Sequence, residues 1–362
     1  MRFSVDGWDP SYGSSLETDG ELSQSSASID TDVELPASRW RPVDRSGTGP
    51  LPGALLFVDG VRRIEAQVWV DDLPDADGVA AGDATAALCA SYAAGVVCCC
   101  AAGAHLMATE RRRGLFSVAP HAQGIRTPAG DYEAHCVKLK NGNAPVMPAL
   151  SNSLQLDLAA IEVKVSNAAR AAADADLPVP DRHISDGADD LLIVDGVLYG
   201  RQHLPRALGY IKSHNTKYLR PELNSLVGRL TPGQRTPVFH ISARWDRYSW
   251  YLRLPGPPGS PWAGIVRIEC ASVLPVPEVV KLAGLSQRCL GRFASEAYKD
   301  TRAPQNLYPI AGLERELRRR LGDPQLLYRA LRKAAHADAL PADVSPIGTV
   351  TSTREFSLGA PA

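Results

Sequence analysis

The sequence predicts an α/β fold, a mixed sheet flanked by helices, and three observations support that prediction. Two short apolar runs end in Asp-Gly, ALLFVDG at 54–60 and LLIVDG at 191–196, as buried strands do where the chain returns to solvent. Between them lies a stretch, 149–175, whose apolar residues recur at helical spacing. Further strand-like and helical runs follow in the C-terminal third.

Length and composition describe a globular chain. Its 362 residues, 44% hydrophobic and 22% charged, suit one large domain or two ordinary ones. The formal net charge of −1 argues against indiscriminate binding of polyanions but leaves room for a local basic groove. Seven cysteines without paired CxxC spacing indicate neither a zinc ribbon nor a disulfide framework, so the expected compartment is a reducing cytoplasm. We find no signal-peptide pattern at the start of the sequence.

The two ends of the chain differ in composition from its middle. Residues 1–48 are rich in Ser, Asp and Glu with few large apolar groups, so we expect a disordered leader there. The folded domain is expected over 49–335, and 336–362 is expected to be a loosely ordered tail.

The first part of the domain is predicted to contain several strands. One ends at Asp59-Gly60, and a second, alternating strand covers 63–70. The most apolar segment, 84–107, is rich in Ala, Gly and Cys, and its small residues and Val-Val-Cys run predict a buried helix followed by a strand over 95–100. A membrane span is the alternative for that segment.

The helix predicted over 149–175 has one apolar stripe, formed by Leu154, Leu158, Ile161 and Val165. Ser151 is a plausible N-cap residue. Asp157 and Glu162 flank the stripe, and helix geometry lets either point toward the strand ends. The alternative for each is an ordinary surface carboxylate.

Two strand-end carboxylates, Asp59 and Asp195, are predicted to share a metal site, because divalent ions need clustered oxygen ligands. The alternative is that each belongs to an ordinary Asp-Gly turn. Basic residues are dense just beyond Asp195 and suit the neutralisation of a bound phosphate, with a solvated face as the alternative. They are Arg201, His203, Arg206, Lys212, His214 and Lys217.

The C-terminal third is predicted to hold three strands and two helices. The strands cover 236–242, 248–254 and 264–271, and the last two read as a hairpin. The first helix is expected over 276–298. Pro309 is expected to start the second helix, whose apolar stripe is Ile310, Leu313, Leu317 and Leu321, and Gly322 is expected to end it.

In the order of its motifs the chain resembles the NurA nucleases over roughly residues 50 to 330. The resemblance lies in VDG at 58–60, the helix with Glu162, IVDGVLYGR at 193–201, GYIKSH at 209–214, WYLRL at 250–254, IVRIE at 265–269 and NLYPIAGLE at 306–314. It implies a ribonuclease-H-like mixed sheet flanked by helices, with a long C-terminal helical extension. It also implies a manganese- or magnesium-dependent nuclease that acts on DNA ends and single strands, in DNA end processing or repair.

The resemblance further implies partners and residue roles. Members of the family pair with a HerA-type hexameric translocase, and a homodimer is expected. Carried over by position, Asp59, Glu162 and Asp195 are the metal-binding acids, and Tyr308 matches a late tyrosine of the family. Where the family has a later histidine or aspartate, this chain offers Glu316, or Glu314 in another register. The residues expected to contact DNA are Arg62, Arg201, Lys212 and His214.

The mechanism expected from these residues is two-metal phosphodiester hydrolysis, with Asp59 and Asp195 sharing the ions and Glu162 completing the set. The chain has neither GxxxxGK[ST] nor GxGxxG, so energy for translocation would come from a partner. Two other functions remain open. One is a non-catalytic docking subunit of a translocase complex, which the replacement of the histidine by glutamate favours. The other is a small-nucleotide phosphoesterase, which the same acids would serve.

Overall fold

The computed structural model describes residues 23–47, 49–71, 83–139, 145–174, 190–257 and 259–338. The strands in these residues are β1 (Ser23–Gln24), β2 (Ser28–Asp30), β3 (Ala54–Asp71), β4 (Ala84–Cys100), β5 (Gly103–Ser117), β6 (Glu133–Cys136), β7 (Asp190–Asp195), β8 (Ala207–Ile211), β9 (Thr216–Lys217), β10 (Phe239–Ser242), β11 (Arg247–Arg253) and β12 (Ile265–Ala271). The α-helices are α1 (Val146–Asp174), α2 (Pro221–Arg229), α3 (Val276–Cys289), α4 (Tyr308–Arg320) and α5 (Pro324–Asp338).

One mixed sheet of ten strands organises the fold, in the order β2-β10-β11-β12-β8-β7-β3-β4-β5-β6. At its centre β7 runs parallel to both β3 and β8, whereas β3, β4 and β5 form an antiparallel meander. On the other side β8, β12, β11, β10 and β2 are antiparallel to one another. The predicted α/β class, a mixed sheet flanked by helices, is confirmed.

Helices cover both faces of this sheet. Helix α1 packs against β3, β4 and β5 on one face, and α4 packs against β3 and β4 on the other. Along β3 the side chains alternate accordingly: Leu56 and Val58 belong to the core under α1, whereas Leu55 and Phe57 belong to the core under α3 and α4. By the same alternation Asp59 lies on the α4 face.

Strand β3 corrects the prediction of a turn at Asp59-Gly60. The chain continues as one strand from Ala54 to Asp71, because β4 pairs with it along its whole length, with Gly60 opposite Ala94. The two Asp-Gly pairs differ in their backbone. Gly196 has a φ of +102°, which ends β7, whereas Gly60 has no positive φ and stays extended.

Strand β4 corrects the prediction of a buried helix over the first part of 84–107. The segment is extended and pairs with β3 on one side and β5 on the other. Its small residues serve helix–sheet packing, since a Cβ at Gly95 would lie 3.2 Å from both Leu313 Cδ1 and Leu317 Cδ2 of α4. Among the described residues, none of the helices has the length and apolar character needed to cross a membrane.

Smaller differences concern the boundaries of elements. Ser151 lies inside α1 and is not its N-cap residue, because the helix begins at Val146. The helix predicted over 276–298 ends at Cys289, where a 3-10 turn takes over. Strand β10 begins at Phe239, three residues later than predicted. The predicted hairpin of β11 and β12 is confirmed, as is the end of α4 before Gly322, whose φ is +91°.

The structure describes part of the predicted leader, 1–48, and part of the predicted tail, 336–362. Strand β2, within the predicted leader, pairs with β10, and Glu34 binds the Arg235 guanidinium with both carboxylate oxygens. This part of the leader is therefore folded onto the sheet by strand pairing and a buried ion pair. Helix α5 extends to Asp338, and the rest of the predicted tail, 339–362, lies outside the described residues, as do 1–22.

Candidate metal centre

Three carboxylates from three elements converge at the centre of the sheet. Asp59 of β3, Asp195 of β7 and Glu314 of α4 each offer an oxygen, and these oxygens lie within 4.8 Å of one another. We call these three residues the acidic group. Asp59 is buried, and the other two are half-buried.

Strand register brings the two aspartates together. Strands β3 and β7 are parallel neighbours, and their last paired residues are Val58 and Val194. Asp59 and Asp195 are the next residue of each strand, so their side chains lie on the same face. Because β7 ends at Asp195, the acids meet where β3 loses its neighbour on one side. The predicted juxtaposition of the two aspartates is therefore present, although only Asp195 ends a strand.

Helix α4 delivers Glu314 from above the sheet. The buried residues Ile310, Leu313 and Leu317 hold the helix on β3 and β4. Glu314 follows Leu313 directly and is four residues after Ile310, so it lies beside the packed stripe. The Arg302 guanidinium binds both of its carboxylate oxygens, one over 2.9 Å. That ion pair fixes the side chain and lowers the pKa of Glu314 against the effect of burial.

A lysine ammonium lies among the acids. Lys212, just after β8, donates from Nζ to Asp195 Oδ2 over 2.6 Å and to Asn306 Oδ1 over 3.0 Å, and Nζ is 4.0 Å from Glu314. Burial works against its charge, but Asp195, Asp59 and Glu314 together hold the pKa of Lys212 above its usual value. Lys212 is therefore a cation fixed inside the group.

Asp59 is the least satisfied member. Its Oδ1 accepts from Gly60 N–H over 2.7 Å, whereas Oδ2 is buried and has no hydrogen-bond partner in the described chain. Burial and then the Asp195 carboxylate raise the pKa of Asp59 well above its ordinary value, and Lys212 only partly offsets this. A buried carboxylate oxygen without a donor, beside two more carboxylates, fits the ligand set of a hard divalent cation.

Glu162 approaches the group from the opposite face. It comes from α1 and passes close over the strand, since a Cβ at Gly60 would lie 2.5 Å from Glu162 Oε1. Arg201 donates to Glu162 Oε2 over 2.7 Å, and burial raises the pKa of Glu162 against that contact. Asp157, the alternative helical acid, instead binds His135 of β6 over 2.9 Å. Glu162 is thus near the acidic group without belonging to it.

The structure separates the two candidates for the last ligand. Glu316 binds the Arg319 and Arg320 guanidinium groups of its own helix and lies outside the acidic group, which corrects the preference for this residue. Two residues correspond to about 200° around a helix, so only Glu314 can face the sheet. Tyr308 donates from its hydroxyl to Glu296 over 3.2 Å, in a contact near the surface.

The predicted DNA contacts divide by burial. Arg62 is exposed and donates to Ser151 Oγ, whereas Arg201 is buried with Glu162. His214 is also buried: its Nε2 donates to the Ile265 carbonyl, and burial lowers its pKa to about 4, so the ring is neutral. Arg201 and His214 therefore do not reach a substrate on the surface, because each is held in the interior by a specific partner.

Sequence reasoning missed two residues that organise the site. Arg302 fixes Glu314, and Asn306 accepts from Lys212 while donating to Asp300. Asn306 and Glu314 are the first and last residues of the motif NLYPIAGLE at 306–314. The sequence signal for Glu314 was its position beside the apolar stripe of α4, directly after Leu313.

Comparisons with known proteins give a distant likeness of fold. No family model matches the chain, and no curated protein matches it. Among solved structures it is similar to the NurA nuclease from Sulfolobus solfataricus, with a TM-score of 0.42 and 10% sequence identity, over 83% of this chain and 88% of that chain. A likeness of that degree carries no weight for the chemistry of the site.

Proposed function

We propose that this protein is a divalent-metal-dependent nuclease that hydrolyses phosphodiester bonds in DNA at the acidic group. One observation carries the proposal. Asp59, Asp195 and Glu314 come from three separate elements, meet within 4.8 Å, and include a buried oxygen with no partner among the described residues. Such an arrangement costs folding free energy and is common at functional sites.

The charge balance supports a cation as the missing component. Three carboxylates face two cationic side chains, Lys212 and Arg302. Because there is one positive charge fewer than there are carboxylates, Asp59 can be stabilised in two ways. It can hold a proton, or it can bind a cation. Oxygen ligands from carboxylates suit Mg²⁺ or Mn²⁺ better than thiophilic ions, which supports one of these two as the cofactor.

The residues then have separate roles. A bound divalent ion supplies Lewis-acid activation of water and neutralises charge at a phosphodiester. Asp59 and Asp195 would hold it from the sheet, and Glu314 would hold it from α4, with Arg302 keeping that carboxylate in place. Lys212 is the residue in reach of a substrate phosphate, and Asn306 keeps its ammonium at the acids. Glu162 adds negative charge from the α1 face, and Arg201 fixes its position.

The surface near the acidic group carries exposed arginines that suit binding of a polyanion. Arg111 and Arg320 are exposed and linked, since Arg111 donates to the Arg320 carbonyl over 3.0 Å. Arg111 of β5 pairs with Ala93 of β4. Ala93 is two residues along β4 from Gly95, which pairs with Asp59. Arg111 offers a phosphate contact beside the α4 face, whereas the Arg320 guanidinium is already bound to Glu316.

The finer assignment rests on the sequence motifs. Single-strand endonuclease and end-resecting exonuclease activity, a homodimer and a HerA-type hexameric ATPase as partner are proposed on the motif resemblance alone. Light scattering of the isolated chain tests the dimer. Cleavage of DNA ends with and without an ATP-fuelled translocase tests the partner, because the proposal expects faster cleavage when the motor delivers the strand.

The direct test is digestion of end-labelled single-stranded DNA with Mn²⁺. Wild type should cleave, Asp59→Asn should not, and Asp157→Asn should cleave like wild type. The last variant is the matched control, since it makes the same chemical change at an acid bound to His135 outside the group. Wild-type protein without Mn²⁺-dependent cleavage would remove the proposal.

A second candidate, a non-catalytic docking subunit, is favoured by one specific contact. Lys212 Nζ already lies 2.6 Å from Asp195 Oδ2, as an ammonium replacing a lost metal ion would. A wild-type chain that neither binds Mn²⁺ nor cleaves DNA would point to this candidate. Cleavage of a small diester such as bis(p-nitrophenyl) phosphate, with no cleavage of DNA, would point instead to a small-nucleotide phosphoesterase.

A further inference from the structure

A second group of possible metal ligands lies at the turn between β4 and β5. Cys98, Cys100 and His105 each offer one ligand atom, and these atoms lie within 4.8 Å of one another. Two thiols and an imidazole form a soft ligand set, unlike the oxygens of the acidic group.

The hairpin register explains why these three side chains meet. Cys98 and Cys100 are two residues apart on one strand, so they lie on the same face. His105 is paired directly with Cys98 across the hairpin, and directly paired side chains share a face. The turn is tight, with Cys100 paired to Gly103, whose φ of +101° allows it.

The surroundings are half open. Cys98 is fully buried in the core under α1, Cys100 packs at the margin of that core, and His105 is exposed. The Cys100 thiol has a weak contact with the Gly103 carbonyl over 3.8 Å. One side of the group therefore has rigid support from the core, while the other faces solvent.

The distances suit a tetrahedral ion. Zinc bonds of about 2.3 Å to sulfur and about 2.0 Å to nitrogen place neighbouring ligand atoms roughly 3.5–3.8 Å apart. The three atoms here are within 4.8 Å, so a closure of about 1 Å reaches that spacing. The exposed His105 and the half-buried Cys100 are the side chains with room to rotate for this closure, since Cys98 is fully buried.

We propose that Cys98, Cys100 and His105 bind a zinc ion, with water in the fourth position, at the end of the β4–β5 hairpin. Both thiols lose their protons to solvent as the ion binds. The ion would tie the two strands together where they turn.

This site is separate from the acidic group. Cys98 faces α1, whereas Asp59 faces α4 on the other side of the sheet. Cys98 also lies three residues along β4 from Gly95, the partner of Asp59, or about 10 Å. Loss of either site should leave ion binding at the other intact, so the two proposals fail independently.

Cobalt(II) is the probe for the test, because cobalt bound to thiolates shows sulfur-to-metal charge transfer and cobalt bound to oxygens does not. The reduced, metal-free full-length protein should develop that absorption and saturate at one equivalent, and zinc should displace it. The Asp59→Asn variant should give the same spectrum as wild type.

Matched variants identify the ligands. Cys98→Ser and Cys100→Ser should each abolish or strongly shift the charge-transfer absorption. Cys99→Ser should retain it, because Cys99 points to the opposite face, toward the core under α4. His105→Ala, a change at an exposed position that leaves the core packed, should weaken cobalt binding by more than about tenfold, since even outer partners of a ligand contribute about that much.

Two results would overturn the proposal. One is wild-type protein with all seven cysteines reduced and no charge-transfer absorption at stoichiometric cobalt. The other is absorption that survives in the His105→Ala variant at unchanged affinity and also in a folded Cys98→Ser variant. Circular dichroism of each variant establishes that it is folded before its spectrum is compared.

Discussion

Two of the regions that bury carboxylates, among the described residues, satisfy the charge in different ways. Glu269 of β12 is fully buried, yet Leu198 N–H donates to its Oε1 over 2.7 Å and Arg267 donates to its Oε2 over 2.8 Å. Arg247 adds a second guanidinium at 3.2 Å. One acid here has two cations, and both of its oxygens have donors.

The acidic group has the opposite balance. Its three carboxylates share the Lys212 ammonium and the Arg302 guanidinium, and Asp59 Oδ2 has no partner in the described residues. Burial alone therefore does not mark a functional acid, because Glu269 is at least as buried as Asp59. The distinguishing feature is a deficit of donors and positive charge, and substitutions in the two regions should have different consequences.

The largest expected effect is on catalysis. Asp59→Asn should lower Mn²⁺-dependent DNA cleavage by about a thousandfold or more, since loss of a metal ligand removes several kcal/mol of transition-state stabilisation. The unfolding free energy of the metal-free protein should stay the same or rise, because one of several repelling charges is gone. Cleavage rates and urea denaturation of the same preparation measure both quantities. A variant that cleaves at the wild-type rate contradicts the role given to Asp59.

Glu269→Gln should lower the unfolding free energy and leave metal binding intact, the opposite of what we expect for Asp59→Asn. Breaking a buried ion pair leaves Arg267 and Arg247 without their counter-charge, which costs about 3–5 kcal/mol of unfolding free energy. The folded fraction should bind Mn²⁺ as wild type does. Urea denaturation checks the first statement and calorimetry the second. Unchanged stability would show that Glu269 is not the structural acid that its contacts indicate.

Lys212→Met should make the metal-free protein less stable and increase the stabilisation by Mn²⁺. Removal of the ammonium leaves Asp195 without its closest cation, and a metal ion can replace that charge. Melting temperatures with and without Mn²⁺ measure the effect, and Lys164→Met, which removes an exposed lysine bound to Glu110, is the control. An equal metal-induced shift in wild type and the Lys212 variant would mean that the lysine and the ion do not compete.

The smallest expected effect is a pH dependence of stability. Because the pKa of Asp59 is raised in the folded protein, the folded state holds its proton more tightly than the unfolded state does. Stability from this group is complete below the ordinary pKa of 3.8 and is lost as pH rises through the folded value. In urea denaturation from about pH 4 to about pH 8, the unfolding free energy of Asp59→Asn should increase relative to that of wild type as pH rises. A constant difference would contradict the raised pKa.

Much of the sheet centre could be predicted from the sequence. The run LLIV at 191–194 is uniformly apolar, as expected for a strand buried on both faces, and Gly196 adopts the positive φ that ends β7. The same pattern misled at Gly60, where the long partner strand β4 keeps the backbone extended. Strand pairing over a distance of many residues overrides a local turn signal, and a single sequence does not reveal it.

A site residue could be predicted where it lies within a clear strand or helix pattern of the sequence. Asp195 follows from its strand, but the choice between Glu316 and Glu314 depends on which side of α4 packs on the sheet. The charge of Lys212 was visible, whereas its insertion between Asp195 and Asn306 depends on contacts that no spacing shows. His214 was misleading for the same reason, since it is buried although Lys217, three residues along the chain, is exposed.

The most direct test of the central claim is a calorimetric titration of the metal-free protein with Mn²⁺. The deficit of positive charge at the acidic group predicts saturable binding by wild type and by Asp157→Asn. It also predicts binding that is weakened at least about tenfold in Asp59→Asn, as loss of a direct ligand requires. Equal affinity in wild type and Asp59→Asn, or no binding by wild type, would contradict the claim that these three carboxylates form a metal centre.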